Sequence, residues 1–248
     1  MISFNNLGHM GRLGNQMFQY AALKGIASHK GYSYSIPENN ELTSCFKIPL
    51  TEKNQNTQIL SIERFEFDQN LLDNCPDDVD LVGYFQTEKY FSHIEKQIRQ
   101  DFTFYDRITN ICSHYKENLF RNQEVISLHV RRTDYLTDKN FYSLPLEYYY
   151  QSLDLLPNLP VIVLTDDYEW CKTKFTSKRF KISKSNNSHI DLCLMSLCDY
   201  HIIANSSFSW WGSWLADSKK TIAPKDWFAG DFSSWNTKDL YLPHWIVL

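Results

Sequence analysis

The chain has 248 residues and a net charge of −4, with 43% hydrophobic and 22% charged residues. That balance is ordinary for a globular protein long enough to bury one large core or two small ones. The acidic excess rules out a nucleic-acid footprint over the surface as a whole, and no apolar run reaches the roughly 18 residues that a membrane span needs. No basic stretch followed by an apolar core opens the chain, so no signal peptide is expected. The six dispersed cysteines contain no CxxC pair and read as reduced cytosolic thiols.

The first motif, "GHMGRLGNQMFQYAALKG", spaces Gly8, Gly11 and Gly14 evenly and runs into a helix-like pattern. Asn15 is the expected N-cap. Phe18, Ala21, Ala22 and Gly25 form one apolar face, and Gly31 is the expected terminator. The glycines suit either a nucleotide loop or a tight turn. Their spacing is not the G-x-G-x-x-G of a dinucleotide site, and no strand is evident before them. Residues 37–80 are polar and irregular, with loops, an insertion and a strand near Ile59–Ile62. Asp78-Val79-Asp80 has the DxD form of some metal–nucleotide sites, but it precedes a strand and is read as a solvated turn. "LVGYFQTEKYF" (81–91) reads as a strand entering a helix that continues to about Phe102, and residues 106–120 also read as helix.

From residue 124 the pattern alternates. "EVISLHV", "PVIVLTDD", "HIIAN" and, as the last strand, "KTIAP" read as strands, separated by helices at "PLEYYYQSLDLL", "EWCKTKF", "DLCLMSLCDY" and "SSFSWWGSWLA". This order predicts a parallel α/β sheet, and the change in pattern puts the domain division at 1–122 and 123–248. Ligands of such sheets bind beyond the carboxyl ends of the strands. Three polar clusters fall there, at "HVRRTD" (129–134), "TDD" (165–167) and "NSSFS" (205–209), and all are expected along one edge.

Arg131 and Arg132 suit phosphate recognition, and equally a structural ion pair with Asp134 or another acid. Asn205, Ser206, Ser207, Phe208 and Ser209 open a helix, where free N–H groups favour an anion and where plain capping is the alternative. Asp166 and Asp167 suit a base or ribose, or the cap of the next helix. His189, Cys193, Cys198 and His201 make a poor zinc set, because Cys193 and Cys198 face different sides of one helix. Six of seven tryptophans lie within residues 210–248, which predicts a dense aromatic core or a planar ligand site there.

"GRLGNQMFQYA", "GYFQTEKYF", "HVRRTDYL", "LTDDYEWC", "DLCLMSLCDYHIIANSSFSWWGSWL" and "IAPKDWF", in this order over residues 11–228, resemble the bacterial α-1,2-fucosyltransferases, glycosyltransferase family 11. The resemblance implies an α/β, GT-B-type architecture of two Rossmann-like domains facing a cleft, the N-terminal one reduced or irregular. It implies GDP-β-L-fucose as donor, the 2-hydroxyl of a terminal galactoside as acceptor, inversion, and no cofactor or metal. On this resemblance His129 and Asp166 or Asp167 contact the guanine–ribose end. Arg131 binds the diphosphate, supported by Arg132, and Ser206, Ser207 and Ser209 cradle the phosphates. Arg12, Gly14, Asn15 and Gln16 approach from the N-terminal domain. Asp134, and after it Glu88, is the candidate base. The setting implied is surface-polysaccharide assembly in the cytoplasm, with peripheral membrane association through lipid-linked glycans left open. The threonine of "HVRRTD" departs from the glycine frequent in the family. A fucosyltransferase of α-1,3 or α-1,6 linkage, and a catalytically inactive nucleotide- or glycan-binding homologue, are the alternatives.

Overall fold

The computed structural model describes residues 1–49, 51 and 58–248. Residues 50 and 52–57, part of the expected insertion, lie outside the described residues. The chain forms two compact units, Met1–Tyr105 with Trp235–Tyr241, and Asp106–Ser234 with Leu242–Leu248. The sequence drew its boundary after residue 122; the units part after Tyr105, and the helix at Asp106–Phe120 groups with the second.

The first unit is a four-stranded, all-parallel sheet. Its elements run β1 (Ile2–Ser3), α1 (Leu13–Lys30), β2 (Tyr34–Ser35), α2 (Glu41–Cys45), β3 (Gln58–Ser61), α3 (Gln69–Asn74), β4 (Val79–Val82) and α4 (Glu95–Asp101), and the strand order is β2-β1-β4-β3. Between β4 and α4 the expected helix start is two short 3-10 turns, Glu88–Tyr90 and Ser92–Ile94. A two-residue strand does precede the glycine stretch, too short to show as a periodic pattern.

Helix α1 starts at Leu13 with Arg12 in the cap position, not at Asn15. It ends at Gly31, whose φ of 69° is the left-handed conformation that glycine takes without cost. Phe18, Ala21, Ala22 and Gly25 are buried as expected. A side chain at Gly25 would collide with the Tyr90 carbonyl oxygen, so the small residue is required by a close backbone approach. Asp78-Val79-Asp80 is a solvated turn only at Asp78, which is exposed with a φ of 57°; Val79 and Asp80 already belong to the strand. Asp80 lies in β4, 6% exposed, and accepts hydrogen bonds from the Ser3 hydroxyl (2.9 Å) and the Asn5 N–H (2.7 Å).

The second unit contains α5 (Asp106–Phe120), β5 (Ile126–Val130), α6 (Leu146–Asp154), β6 (Val161–Thr165), α7 (Tyr168–Lys174), β7 (Phe180–Ile182), α8 (Ser188–Ser196), β8 (Tyr200–Ile202), α9 (Ser207–Ala216), β9 (Lys220–Ala223) and β10 (Ile246–Val247). The six strands are all parallel, in the order β10-β9-β8-β5-β6-β7. β7 and β10 were not legible in the sequence, and "KTIAP" is therefore not the last strand. Every residue of β5 is buried, as a parallel sheet covered on both faces demands. Ile126, Leu128 and Val130 point to one face and pack with Tyr149 and Leu153 of α6 and Cys171 of α7, while Ser127 and His129 point to the other. Among the described residues no helix is long and apolar enough to cross a membrane.

Candidate active site

Strand order decides where the second unit can hold a ligand. From β5 the chain winds outward through β6 to β7, then crosses back to β8 and winds outward through β9 to β10. The direction reverses between β5 and β8, and a crevice opens beyond the carboxyl ends of such a pair. Arg131 and Arg132 leave β5 there, Asp166 and Asp167 leave the adjacent β6, and Asn205–Ser209 leave β8. The three polar clusters thus share one sheet edge.

The Arg131 guanidinium is held by two carboxylates, at 2.7 Å from Asp166 and 2.5 Å from Asp134, and lies over the Tyr135 ring at 5.3 Å. Asp166 also accepts from the Arg132 N–H (2.9 Å) and the Thr133 hydroxyl (2.7 Å). Burial by itself would raise this carboxyl. The Thr133 hydroxyl, the Arg131 charge and the Arg132 N–H together outweigh it and hold Asp166 below the usual carboxylate range. Arg132 aims away from its neighbour, as consecutive residues leaving a strand do. Its Nε is 3.2 Å from Asp167, and its guanidinium covers the Trp170 ring at 4.1 Å. Asp167 caps α7, accepting from the Trp170 N–H at 3.1 Å.

His129 is 6% exposed and packs its ring beside Phe208 at 5.6 Å. Burial, with Arg131 acting in the same direction against Asp166, lowers its pKa to about 3, so the imidazole is neutral. Among the described residues its buried Nδ1 has no hydrogen-bond partner, an uncommon condition for a buried polar atom.

Asn205 ties three segments together. Its side-chain amide donates to the carbonyls of Tyr142 and Trp227, each at 3.0 Å, and its main-chain carbonyl accepts from the Tyr135 hydroxyl at 3.1 Å. Ser206 caps α9, accepting from the Phe208 N–H at 3.4 Å, and Ser207 opens the helix. Ser209, expected to help cradle phosphate, is 1% exposed and turns its hydroxyl inward to the carbonyls of Ala204 and Ser206; one helical turn in, it has left the open end. Trp210, Trp211, Trp214 and Trp245 form a cluster with ring centroids 5.0–6.4 Å apart, the dense aromatic core that the composition predicts. His201 lies in the same core, bonded to the Met195 carbonyl and Ser218, each at 2.9 Å, and the Cys198 thiol donates to the Leu194 carbonyl.

The remaining candidates belong to the first unit. Arg12 is exposed and Gly14 is buried in the first turn of α1. Asn15 accepts from the Gln86 amide at 2.8 Å. Gln16, expected to reach a ligand, is 1% exposed; it donates to the Gly11 carbonyl (3.3 Å) and accepts from the Glu41 N–H (3.0 Å). Gln19 donates to the carbonyls of Met10 and Gly83. Gly8 and Gly11 take φ of 95° and 90°. The glycine stretch is therefore a tight turn after β1, pinned from α1. Glu88 begins the 3-10 turn Glu88–Tyr90.

Thr133, marked in the sequence only as a departure from the family's glycine, completes the arginine network together with Tyr135 and Trp170, which did not stand out there. Asp191 was also missed. Its half-buried carboxyl, raised chiefly by desolvation, accepts from the hydroxyls of Ser183 (2.9 Å) and Ser185 (2.6 Å), just past the carboxyl end of β7 on the same sheet edge. No pattern marked it, because β7 itself went unread.

The fold is that of fucosyltransferases with two parallel α/β units, the GT-B type. The structure resembles the NodZ α-1,6-fucosyltransferase soaked with GDP-fucose, with a TM-score of 0.60 and 12% identity over 90% of this chain and 94% of that one. Over residues 2–248 the sequence matches Glycosyl transferase family 11, and the chain belongs to that family. It is 32% identical to an α-1,2-colitosyltransferase of Escherichia coli over 88% of this chain and 90% of the relative. It is 29% identical to the O-antigen biosynthesis glycosyltransferase WbnK of the same organism over 96% and 98%.

Proposed function

We propose that the protein is an inverting fucosyltransferase that moves L-fucose from GDP-β-L-fucose to the 2-hydroxyl of a terminal galactoside in surface-polysaccharide assembly. The observation that carries this reading is Arg131, which stands at the strand-order reversal beside the N-terminus of α9. As GDP departs, negative charge develops on the β-phosphate. Without a metal, a preorganised cation and free helix N–H groups are the groups able to stabilise it. Arg131 supplies the cation, exchanging Asp166 and Asp134 for phosphate oxygens. Ser206 and Ser207 border the helix end, and Arg132 stiffens the loop through Asp167 and Trp170.

A neutral His129 with an unpartnered Nδ1 suits the nucleoside, and Asp191 suits the N–H groups on guanine's pairing edge. Cleavage at the anomeric carbon of an uncharged sugar passes through an oxocarbenium-like state, and inversion takes one carboxylate near the acceptor as base. Asp134 fits first, since it is released when Arg131 turns to the diphosphate; Glu88 is the second candidate.

A second reading replaces the fucosyl group with colitosyl, favoured by the 32% identity to an α-1,2-colitosyltransferase. Colitose lacks the 3-hydroxyl of fucose, so the two readings differ in one hydrogen-bonding group of the donor. One experiment tests both. The protein is incubated in EDTA with GDP-fucose or GDP-colitose and a panel of β-galactosides, and the product linkage is read by NMR. Transfer from GDP-fucose to the 2-hydroxyl is expected. Preference for GDP-colitose selects the second reading, and no transfer together with no GDP binding refutes both.

A further inference from the structure

The segment KTKFTSKRFKISK, residues 172–184, carries six cations and no carboxylate in a chain whose net charge is −4. It runs from the end of α7, along the edge strand β7, and past the strand's carboxyl end. Lys172, Lys174, Lys178, Lys181 and Lys184 are exposed. Lys172 is 4.0 Å from Glu169, and Lys184 lies over the Tyr168 ring at 5.3 Å. Lys174, Lys178 and Lys181 pair with no carboxylate among the described residues. Arg179 is fixed in place, donating to the carbonyls of Leu159 (2.6 Å) and Pro157 (3.3 Å). Beside the strip opens a crevice of about 510 Å³ whose lining combines Leu119, Phe120, Leu159 and Pro160 with Lys178 and Lys181. Leu119 is 38% exposed.

An outward lysine on an edge strand blocks pairing with another chain, and Lys181 serves that purpose. The lysines at 174, 178 and 184 are outside the ladder and need another cause. A row of unpaired ammoniums with long aliphatic stems, set against a crevice that is apolar at Leu119, Phe120, Leu159 and Pro160 and polar elsewhere, has the chemistry of a bilayer-facing surface. The charges meet anionic headgroups while the stems and leucines enter the interface. The acidic balance of the rest of the chain favours a one-sided contact of this kind over wrapping by nucleic acid. We propose that the β7 edge of the second unit docks on the surface of an anionic lipid bilayer.

The test is co-sedimentation of the whole protein with phosphatidylglycerol–phosphatidylcholine vesicles and with pure phosphatidylcholine vesicles, at low and at high salt. Wild type is compared with the double variant Lys178→Glu/Lys181→Glu, with thermal melting and GDP binding as checks on folding. Binding to the anionic vesicles alone is expected, lost at high salt and weakened on the order of tenfold or more in the variant. No binding, equal binding to neutral vesicles, or undiminished binding by a folded variant overturns the proposal. So does displacement from the vesicles by an equal charge of single-stranded RNA, which would make the strip a general polyanion site. Vesicle binding needs neither donor nor acceptor, so its outcome is independent of the transferase reading.

Discussion

Arg131 and Asp166 meet across the ends of neighbouring strands, with Nη1 2.7 Å from Oδ2, and the same carboxylate also holds the Thr133 hydroxyl and the Arg132 N–H. The residue proposed to bind phosphate is thus paired with two carboxylates, and on that proposal a diphosphate takes the place of one of them.

Removing the guanidinium separates charge from shape. Arg131→Ala should lower transfer by about 100-fold or more, the loss typical of a preorganised donor at developing charge, and should weaken GDP binding. Arg131→Lys keeps the charge and loses the two-point fork, so it should recover only part of the rate. Steady-state kinetics and calorimetric titration of GDP check both. An unaltered rate in Arg131→Ala removes the residue from the reaction.

The base is identified by comparing two isosteric changes. Asp134→Asn should lower kcat by about 100- to 10,000-fold, the range for a lost general base, and Glu88→Gln should change it little. The Asp134–Arg131 pair is half exposed on the carboxylate side, so stability should move by less than about 1 kcal/mol. The reverse pattern of rates reassigns the base to Glu88, and full activity in both excludes either carboxylate.

Two buried histidines set an acid limit on the second unit. Burial lowers His129 to about 3 and His201 to about 4, both below the ordinary imidazole value of about 6.5. Between the folded and unfolded values the unfolded chain binds more protons, so stability is full above pH 6.5 and falls as the pH drops. Each histidine contributes up to about 1.4 kcal/mol per pH unit in that window. Urea midpoints should be level from pH 8 to 7 and decline steadily from pH 6.5 to 5. A flat profile over that last interval contradicts the buried neutral assignment.

Gly25→Ala opposes two effects of known size. In an open helix alanine is favoured by about 1 kcal/mol. Here the added carbon meets the Tyr90 carbonyl oxygen, and Tyr90 is itself anchored where its hydroxyl accepts from the Asp68 N–H at 3.0 Å. Backbone yields less readily than a side chain, so the clash should win, with a net loss of roughly 1–3 kcal/mol. An equal or higher urea midpoint shows that α1 shifts freely.

Legibility followed the length and periodicity of each element. β5, β6 and the helices α1, α5, α8 and α9 carry enough apolar pattern to be read, and the three polar clusters follow from them. β1, β7 and β10 have two or three residues each, too few to show alternation; β8 is as short and was read only because the apolar Ile203 and Ala204 extend it. The network joining Arg131, Asp166 and Thr133 spans 35 positions of sequence and exists only because β5 and β6 pair in register, Val130 opposite Thr165. Gln16 misled because a polar side chain in a glycine-rich entry looks available for a ligand, whereas its polar atoms complete the turn that the glycines begin.

The Arg132–Trp170 stack has an optical consequence. Indole emission shifts with the electric field across the ring, and here a fixed cation lies 4.1 Å above the face. Trp210, Trp211, Trp214 and Trp245 are packed closely enough to exchange excitation among themselves. Trp170 thus gives the sheet edge a built-in fluorophore, sensitive to any anion that draws on the charge of Arg132.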